Sequence, residues 1–330
     1  MPLNIGLVYD LRSEYLAAGF APELVAEFDS DETIDSLAAA ISSAGHRVDR
    51  IGNARSLCAR LVAGDSWDLV FNIAEGLSGR CRESQVPALL ELFSVPYTFS
   101  DPLVLAATLD KAVAKRLLQS AGVATPRFAV VADSSALDTV NLAYPLFAKP
   151  LAEGSGKGVS RDSIADSPDA LASLCQRLLD TFHESVLVEE YLPGREFTVA
   201  VLGNASTARI LGVMEVSISD EAGGAVYSYE SKEKCEQLVS YSTPEPGALT
   251  SAVETLALDA YRVLECRDAA RLDIRCDRQG RPSFMEVNPL PGLHPTHSDL
   301  PMIATAAGVS YNELIAEIIN NACERQGIRP

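Results

Sequence analysis

Residues 270–289 read ARLDIRCDRQGRPSFMEVNP, two alternating apolar and polar runs around a Gln279-Gly280 pair. That pattern predicts an antiparallel hairpin with its turn near 277–280. Side chains alternate along a strand, so Arg271 and Asp273 share one face, and Glu286 and Asn288 share one face of the next strand. The turn sets Asp273 opposite or diagonal to Glu286, roughly 5–8 Å apart at Cβ. Two carboxylates that close repel unless a cation joins them. With the amide oxygen of Asn288 they form an oxygen donor set suited to Mg2+, which usually bridges to substrate phosphates. An exposed acidic hairpin is the alternative, and the apolar surroundings FMEVNPLPG favour the buried, metal-binding reading.

A second stretch, PLFAKPLAEGSGKGVS at 145–160, ends an apolar strand in Lys149 and continues into a loop with three glycines and Lys157. It is not a P-loop. Gly158 stands where Ser or Thr should hold magnesium, and no glycine lies five residues before Gly156. A charge at the end of an apolar strand is costly without a partner. A phosphate would supply one for Lys149, with EGSGKG folding over it as a lid.

Around these stretches the elements alternate. LNIGLVYDL (3–11), HRVDRIG and SWDLVFNIAEG (66–76) read as strands, with helices at 32–45 and 82–94, which predicts an open parallel sheet over the first hundred residues. No G-x-G-x-x-G follows the first strand, so the dinucleotide fingerprint is missing. Residues 101–122 read as one helix capped by Asp101 and ended by Gly122. Two strands surround a Pro-Gly turn at 185–203, residues 218–246 form a long polar loop, and a last helix starts near Met302.

The net charge of −18, with no basic stripe, excludes the footprint of a nucleic-acid binder. A polyanion would have to be held by a few local cations. The seven cysteines are odd in number and form no C-x-x-C pair, as expected of reduced thiols. No apolar run approaches ~18 residues, and the start MPLNIGLVYD lacks the pattern of a secretory signal. The expectation is a cytoplasmic enzyme without membrane or nucleic-acid partners.

In order along the chain, TLDKAVAKRLLQSAG, FAKPLAEGSGKGVS, LVEEYLPGREFTVAVLG, YSYESK, RLDIR and MEVNPLPGL resemble the ATP-grasp carboxylate–amine ligases, and within them the D-alanine–D-alanine ligases. The resemblance implies an α/β and α+β chain, an ATP-grasp fold preceded by a Rossmann-like open parallel-sheet domain. The divisions expected are 1–102, 103–190 and 191–330, the last with the metal hairpin. It further implies ATP and two Mg2+ ions (or Mn2+ in their place), amino-acid substrates and a homodimer. The first carboxylate would become an acyl phosphate, and the amine of a second amino acid would displace the phosphate.

Roles follow at matching positions. Lys111, Lys149 and Lys232 would meet phosphates. Glu189 and the Leu192 amide would meet adenine, beside Glu190 and the flat wall of Tyr191, and Glu196 the ribose. Asp273, Glu286 and Asn288 would hold metal, Arg271 would steady the oxyanion, and Ser155 would lie in the lid near the first substrate. Gly292 and Ser298 would bind the second carboxylate.

Departures cluster at the substrate end. The glutamate for the first ammonium is Glu27 or Glu32, the usual lid tyrosine is Glu233, and the 288–301 loop is one residue longer and carries His294, His297 and Asp299. His297 is placed to affect selection of the second substrate. The alternatives are a biosynthetic ligase with other amino acids and a non-catalytic nucleotide binder. The set Lys111, Lys149, Arg271, Asp273, Glu286 and Asn288 speaks against the latter.

Overall fold

The structure, a computed structural model, describes residues 1–154, 156–218 and 239–329. At the N-terminal end, β1 (Asn4–Val8) lies between β2 (Arg47–Gly52) and β3 (Leu69–Asn72), parallel to both. Parallel neighbours need crossovers, and helices supply them. After α1 (Arg12–Ala17), α2 (Asp31–Ser43) joins β1 to β2, and α3 (Ala54–Val62) joins β2 to β3. Helix α3 was missed in the sequence, although Asn53 caps it by accepting from the N–H groups of Arg55 and Ser56. Leu7, Leu37, Ile41, Leu69 and Phe71 are fully buried between sheet and helix. The third strand is shorter than 66–76, because only Leu69–Asn72 pairs with β1. After it come the loop at 73–81 and α4 (Gln85–Leu92).

The expected single helix over 101–122 is two, α5 (Pro102–Leu109) and α6 (Lys111–Ser120). Asp110 breaks it with ψ 97°, and its side chain then caps α6 by accepting from the N–H groups of Ala112 and Val113, each at 3.1 Å. A cap of this kind is worth about 1 kcal/mol, enough to offset one interrupted turn. The break makes Lys111 the first residue of α6 and points it into the molecule.

Two further sheets follow. One has the order β4-β7-β5-β6, from β4 (Phe128–Val131), β5 (Leu146–Pro150), β6 (Ile164–Ala165) and β7 (Val186–Glu190), with α7 (Pro168–Phe182) packed against it. The other has the order β10-β9-β8-β11-β12, from β8 (Glu196–Leu202), β9 (Arg209–Ile218), β10 (Val239–Ser242), β11 (Ala269–Cys276) and β12 (Pro282–Asn288). Helix α8 (Ala248–Val263) covers one face of that sheet through Val253, Ala257 and Tyr261. The last helical region is α9 (Asp299–Ala306) and α10 (Tyr311–Gln326), separated at Gly308 with φ +79°.

Helix α10 ties the parts together. Arg325 donates to Asp268 at 2.7 Å and to the carbonyl of Tyr97 at 2.9 Å, while the N–H of Phe99 donates to Asp268 at 2.7 Å. Asp268 is fully buried, so each charge-assisted bond contributes about 1.5–3 kcal/mol to holding the parallel sheet against the large antiparallel one.

Candidate active site

The hairpin forms as the alternation requires. Asp273 pairs in register with Glu286 and Arg271 with Asn288, with a bulge just after Asp273. These residues line one side of a cavity whose other side is β5, the 151–159 loop and the first turn of α6.

Lysines converge from that second side. Lys149 Nζ lies 3.4 Å from Glu286 and Lys111 Nζ lies 3.8 Å from it. Burial would push the Lys149 pKa down, but Glu286 and Glu189 outweigh it and the net shift is upward. Burial would raise the Glu286 carboxyl, but Lys149, then Lys111 and Arg271, hold it well below the usual carboxylate range. Its partner is in the opposite state. Burial, with Glu286, Asp299 and Glu196 adding and Arg271 opposing, pushes Asp273 up to about 7. Asp273 thus lacks sufficient positive charge at the hairpin. A hard divalent cation held by Asp273, Glu286 and Asn288 would supply it, so the residues present fit Mg2+.

Arg271 is clamped by Asp299 at 2.6 Å and Asp273 at 2.9 Å. Two carboxylates fix the guanidinium in direction, so it can stabilise developing charge with little reorganisation.

Deeper in the cavity, Lys115 and Glu189 are both fully buried and lie 2.9 Å apart. Lys115 also donates to the Thr125 hydroxyl at 3.0 Å. Burial lowers its pKa, and Glu189 opposes that fall. Sequence reasoning missed Lys115. Its signal was the spacing of four residues after Lys111, which sets both lysines on one face of α6. The Glu189 Oε1 and the Thr198 hydroxyl are buried without a hydrogen bond among the described residues. Unmade bonds of this kind fit a ligand that carries its own donors and acceptors, such as a nucleotide. Glu190, Tyr191, Leu192 and Glu196 line the same end. The Arg275 guanidinium lies 5.3 Å from the Tyr191 ring centre and pairs with Glu196 at 3.3 Å, a cation absent from the sequence reading. Burial raises the pKa of Glu196 despite Arg275.

The glycine-rich loop crosses between the sheets. Lys111 Nζ donates to the Glu153 carbonyl at 2.6 Å, and Lys157 pairs with Glu153 at 3.0 Å and Glu27 at 3.3 Å. Gly158 has φ +72°, and a Cβ there would lie 2.7 Å from Pro150 and Phe182, so only glycine lets the loop lie this close.

Of the two glutamates proposed for the first ammonium, Glu27 lines the cavity and Glu32 does not. Glu32 sits in the first turn of α2 with its side chain 71% exposed, 3.6 Å from His294, where acid placement favours the helix dipole. Gly292 and Ser298 lie together at the start of α9, outside the cavity lining, and the Ser298 hydroxyl accepts the His294 N–H at 3.0 Å. His297 is exposed, its ring 4.6 Å from that of His294. Ser155, Lys232 and Glu233 lie outside the described residues.

The family model for the D-ala D-ala ligase C-terminus matches residues 117–320. The chain belongs to the D-alanine–D-alanine ligase family. It is an ATP-dependent ligase acting on small molecules. The chain is 35% identical over 264 residues to a D-alanine–D-alanine ligase of Bordetella petrii, covering 79% of this chain and 78% of that one. It is 34% identical over 304 residues to the uncharacterized protein y4sG of Sinorhizobium fredii, covering 88% of this chain and 87% of that one. A crystal structure of D-alanine–D-alanine ligase from Bacillus anthracis complexed with ATP superposes with a TM-score of 0.74 at 22% identity, over 98% of this chain and 99% of that one, which establishes the shared ATP-grasp fold. Among the described residues, no helix is long and apolar enough to cross a membrane.

Proposed function

We propose that this ligase joins two D-alanine molecules, with ADP and phosphate as the other products. The substrate reading is supported by the named ligase relatives. The observation that carries the chemistry is the facing of Lys111 and Lys149 against Asp273, Glu286 and Asn288 across one cavity, with Arg271 fixed beside them.

A carboxylate oxygen of the first substrate attacks the γ-phosphorus of ATP, and ADP leaves. Lys111 and Lys149 offset the charge of the transferring group. Magnesium, two ions in this reading, or manganese in their place, would neutralise phosphate oxygens from Asp273, Glu286 and Asn288. The amine of the second substrate then attacks the acyl carbon. Arg271 donates to the oxyanion, and phosphate leaves with the former carboxylate oxygen. Glu189, Glu190, Tyr191, Leu192 and Glu196 form the nucleoside end, with Lys232 a further cation. Ser155 and the 153–158 loop exclude water from the acyl phosphate. Glu27 is the anchor at the first-substrate end. Gly292, Ser298 and His297 act at the second substrate through rearrangement of the 292–298 loop, and Glu233 would affect selection of the first. The reading includes units at 1–102, 103–190 and 191–330, a homodimer and a cytoplasmic location.

The test is oxygen transfer. With D-alanine labelled with 18O in its carboxylate, the released phosphate should carry one substrate oxygen for each dipeptide formed. Unlabelled phosphate alongside dipeptide would refute activation through an acyl phosphate.

A further inference from the structure

The first-substrate end of the cavity holds more carboxyl groups than a neutral amino acid uses. Glu27, Glu75 and Glu83 all line it. Glu27 is already matched, by Arg82 at 3.2 Å and Lys157 at 3.3 Å. Glu75 and Glu83 are not. Among the described residues neither makes a hydrogen bond or an ion pair, and their residual exposure faces the cavity.

Their placement is built into the chain. Glu75 follows β3, and the next N–H, that of Gly76, donates to Asp10 at 2.9 Å. Gly76 has φ +75°, and a Cβ there would meet the Arg82 carbonyl at 2.7 Å, so the loop bearing Glu75 packs directly on the turn bearing Glu83. Burial raises the pKa of both carboxyls. For Glu75 the neighbours Glu83, Glu27 and Asp29 raise it further against Arg82, and for Glu83 the charges of Arg82 and Lys111 offset burial only in part, leaving a net value of about 7. Asp29 is itself pushed up to about 7 by burial and by Asp10.

A neutral amino acid brings one ammonium and one carboxylate, and leaves this surplus as it was. Among the described residues, Glu27, Glu75 and Glu83 are not grouped closely enough for the three to hold one metal ion. An organic cation with separated ammonium groups matches such a spread.

We infer that Glu75 and Glu83 form a second ammonium subsite, so that the enzyme also accepts a diamino acid as its first, carboxyl-donating substrate. This rests on the ligase reading above. The chemistry is unchanged: the α-carboxylate is activated, and the side-chain ammonium stays bound to the two glutamates.

The experiment uses the full chain with Mg-ATP and D-alanine as second substrate. The first substrate is D-ornithine, D-lysine or D-norleucine, the last matching lysine's chain without the charge. Product order is read by tandem mass spectrometry, and a D-alanine pair is run alongside. The expected kcat/KM is at least ~10-fold higher for D-ornithine or D-lysine than for D-norleucine, about one charge-assisted bond. Glu75→Gln and Glu83→Gln should each pull that ratio toward unity, with melting curves confirming that the variants fold. Equal use of norleucine alongside normal D-alanine ligation would overturn the inference and leave the ligase reading standing. If no pair is ligated, the ligase reading fails, and thermal stabilisation in Mg-ATP decides the subsite: stabilisation by D-ornithine over D-norleucine supports it, and equal effects overturn it.

Discussion

Replacing Lys115 by Met tests the buried ion pair beneath the nucleoside end. Lys115 and Glu189 are fully buried and 2.9 Å apart, so with an effective dielectric near 20 their attraction is about 6 kcal/mol. Lys115→Met removes that attraction and leaves Glu189, among the described residues, paired only with Lys149, at 3.8 Å. Lys149 supplies about 4 kcal/mol on the same scale, but it is shared with Glu286. Stranding one member of a buried pair typically costs about 3–5 kcal/mol. With Lys149 compensating in part, a loss of about 3 kcal/mol is expected. At roughly 2 °C per kcal/mol for a chain of this size, the melting temperature should fall by about 6 °C. The assay is a thermal melt monitored by circular dichroism without nucleotide. Lys115→Met with Glu189→Gln should recover at least half of the loss, because the uncompensated charge goes too. A fall of under about 2 °C, or no recovery in the double variant, would refute the reasoning.

Glu286→Gln should reduce ATP turnover at least ~100-fold and raise the magnesium concentration needed for half-maximal activity, because a donor and its charge leave the metal hairpin; unchanged magnesium dependence counts against the assignment. Arg271→Ala should lower kcat by about 10²–10³ with little change in the KM for ATP, as for loss of an oxyanion donor, and an effect confined to the ATP KM would move Arg271 to the nucleotide. For Glu83 the folded value near 7 lies above the ordinary 4.5, so the folded chain holds the proton more tightly than the unfolded one and stability falls as pH rises between those values. Glu83→Gln should therefore stabilise the ligand-free protein by about 1–3 kcal/mol at pH 8 and by nothing near pH 4.5; a gain independent of pH would contradict the burial argument.

The 270–289 hairpin was legible because strand alternation and a short turn leave few registers; they put Asp273 opposite or diagonal to Glu286, and the strands pair it opposite. The parallel sheet was legible from its apolar strands, although α3 was not, because ARSLCARLV carries a weak apolar stripe with only Leu57 and Leu61 buried. The division of 101–122 was hidden because Asp110 reads as an ordinary helix-surface acid. Its capping role appears only once Lys111 has to reach the Glu153 carbonyl. Lys115, Arg275 and the Glu75–Glu83 pair were missed for one reason. Their chemistry depends on burial by elements far away in sequence, and a lysine or glutamate beside apolar residues looks the same whether it faces solvent or a cavity. Glu27 and Glu32 show the same limit: the sequence offers both, and only the approach of the 151–159 loop to Glu27 separates them.

The measurement that tests the central claim most directly is phosphate release from Mg-ATP with D-alanine, with L-alanine and with neither, product mass being read in parallel. The account predicts release that requires D-alanine, in a one-to-one ratio with a D-alanyl-D-alanine mass. Release that ignores the amino acid, or that yields no dipeptide, would contradict it.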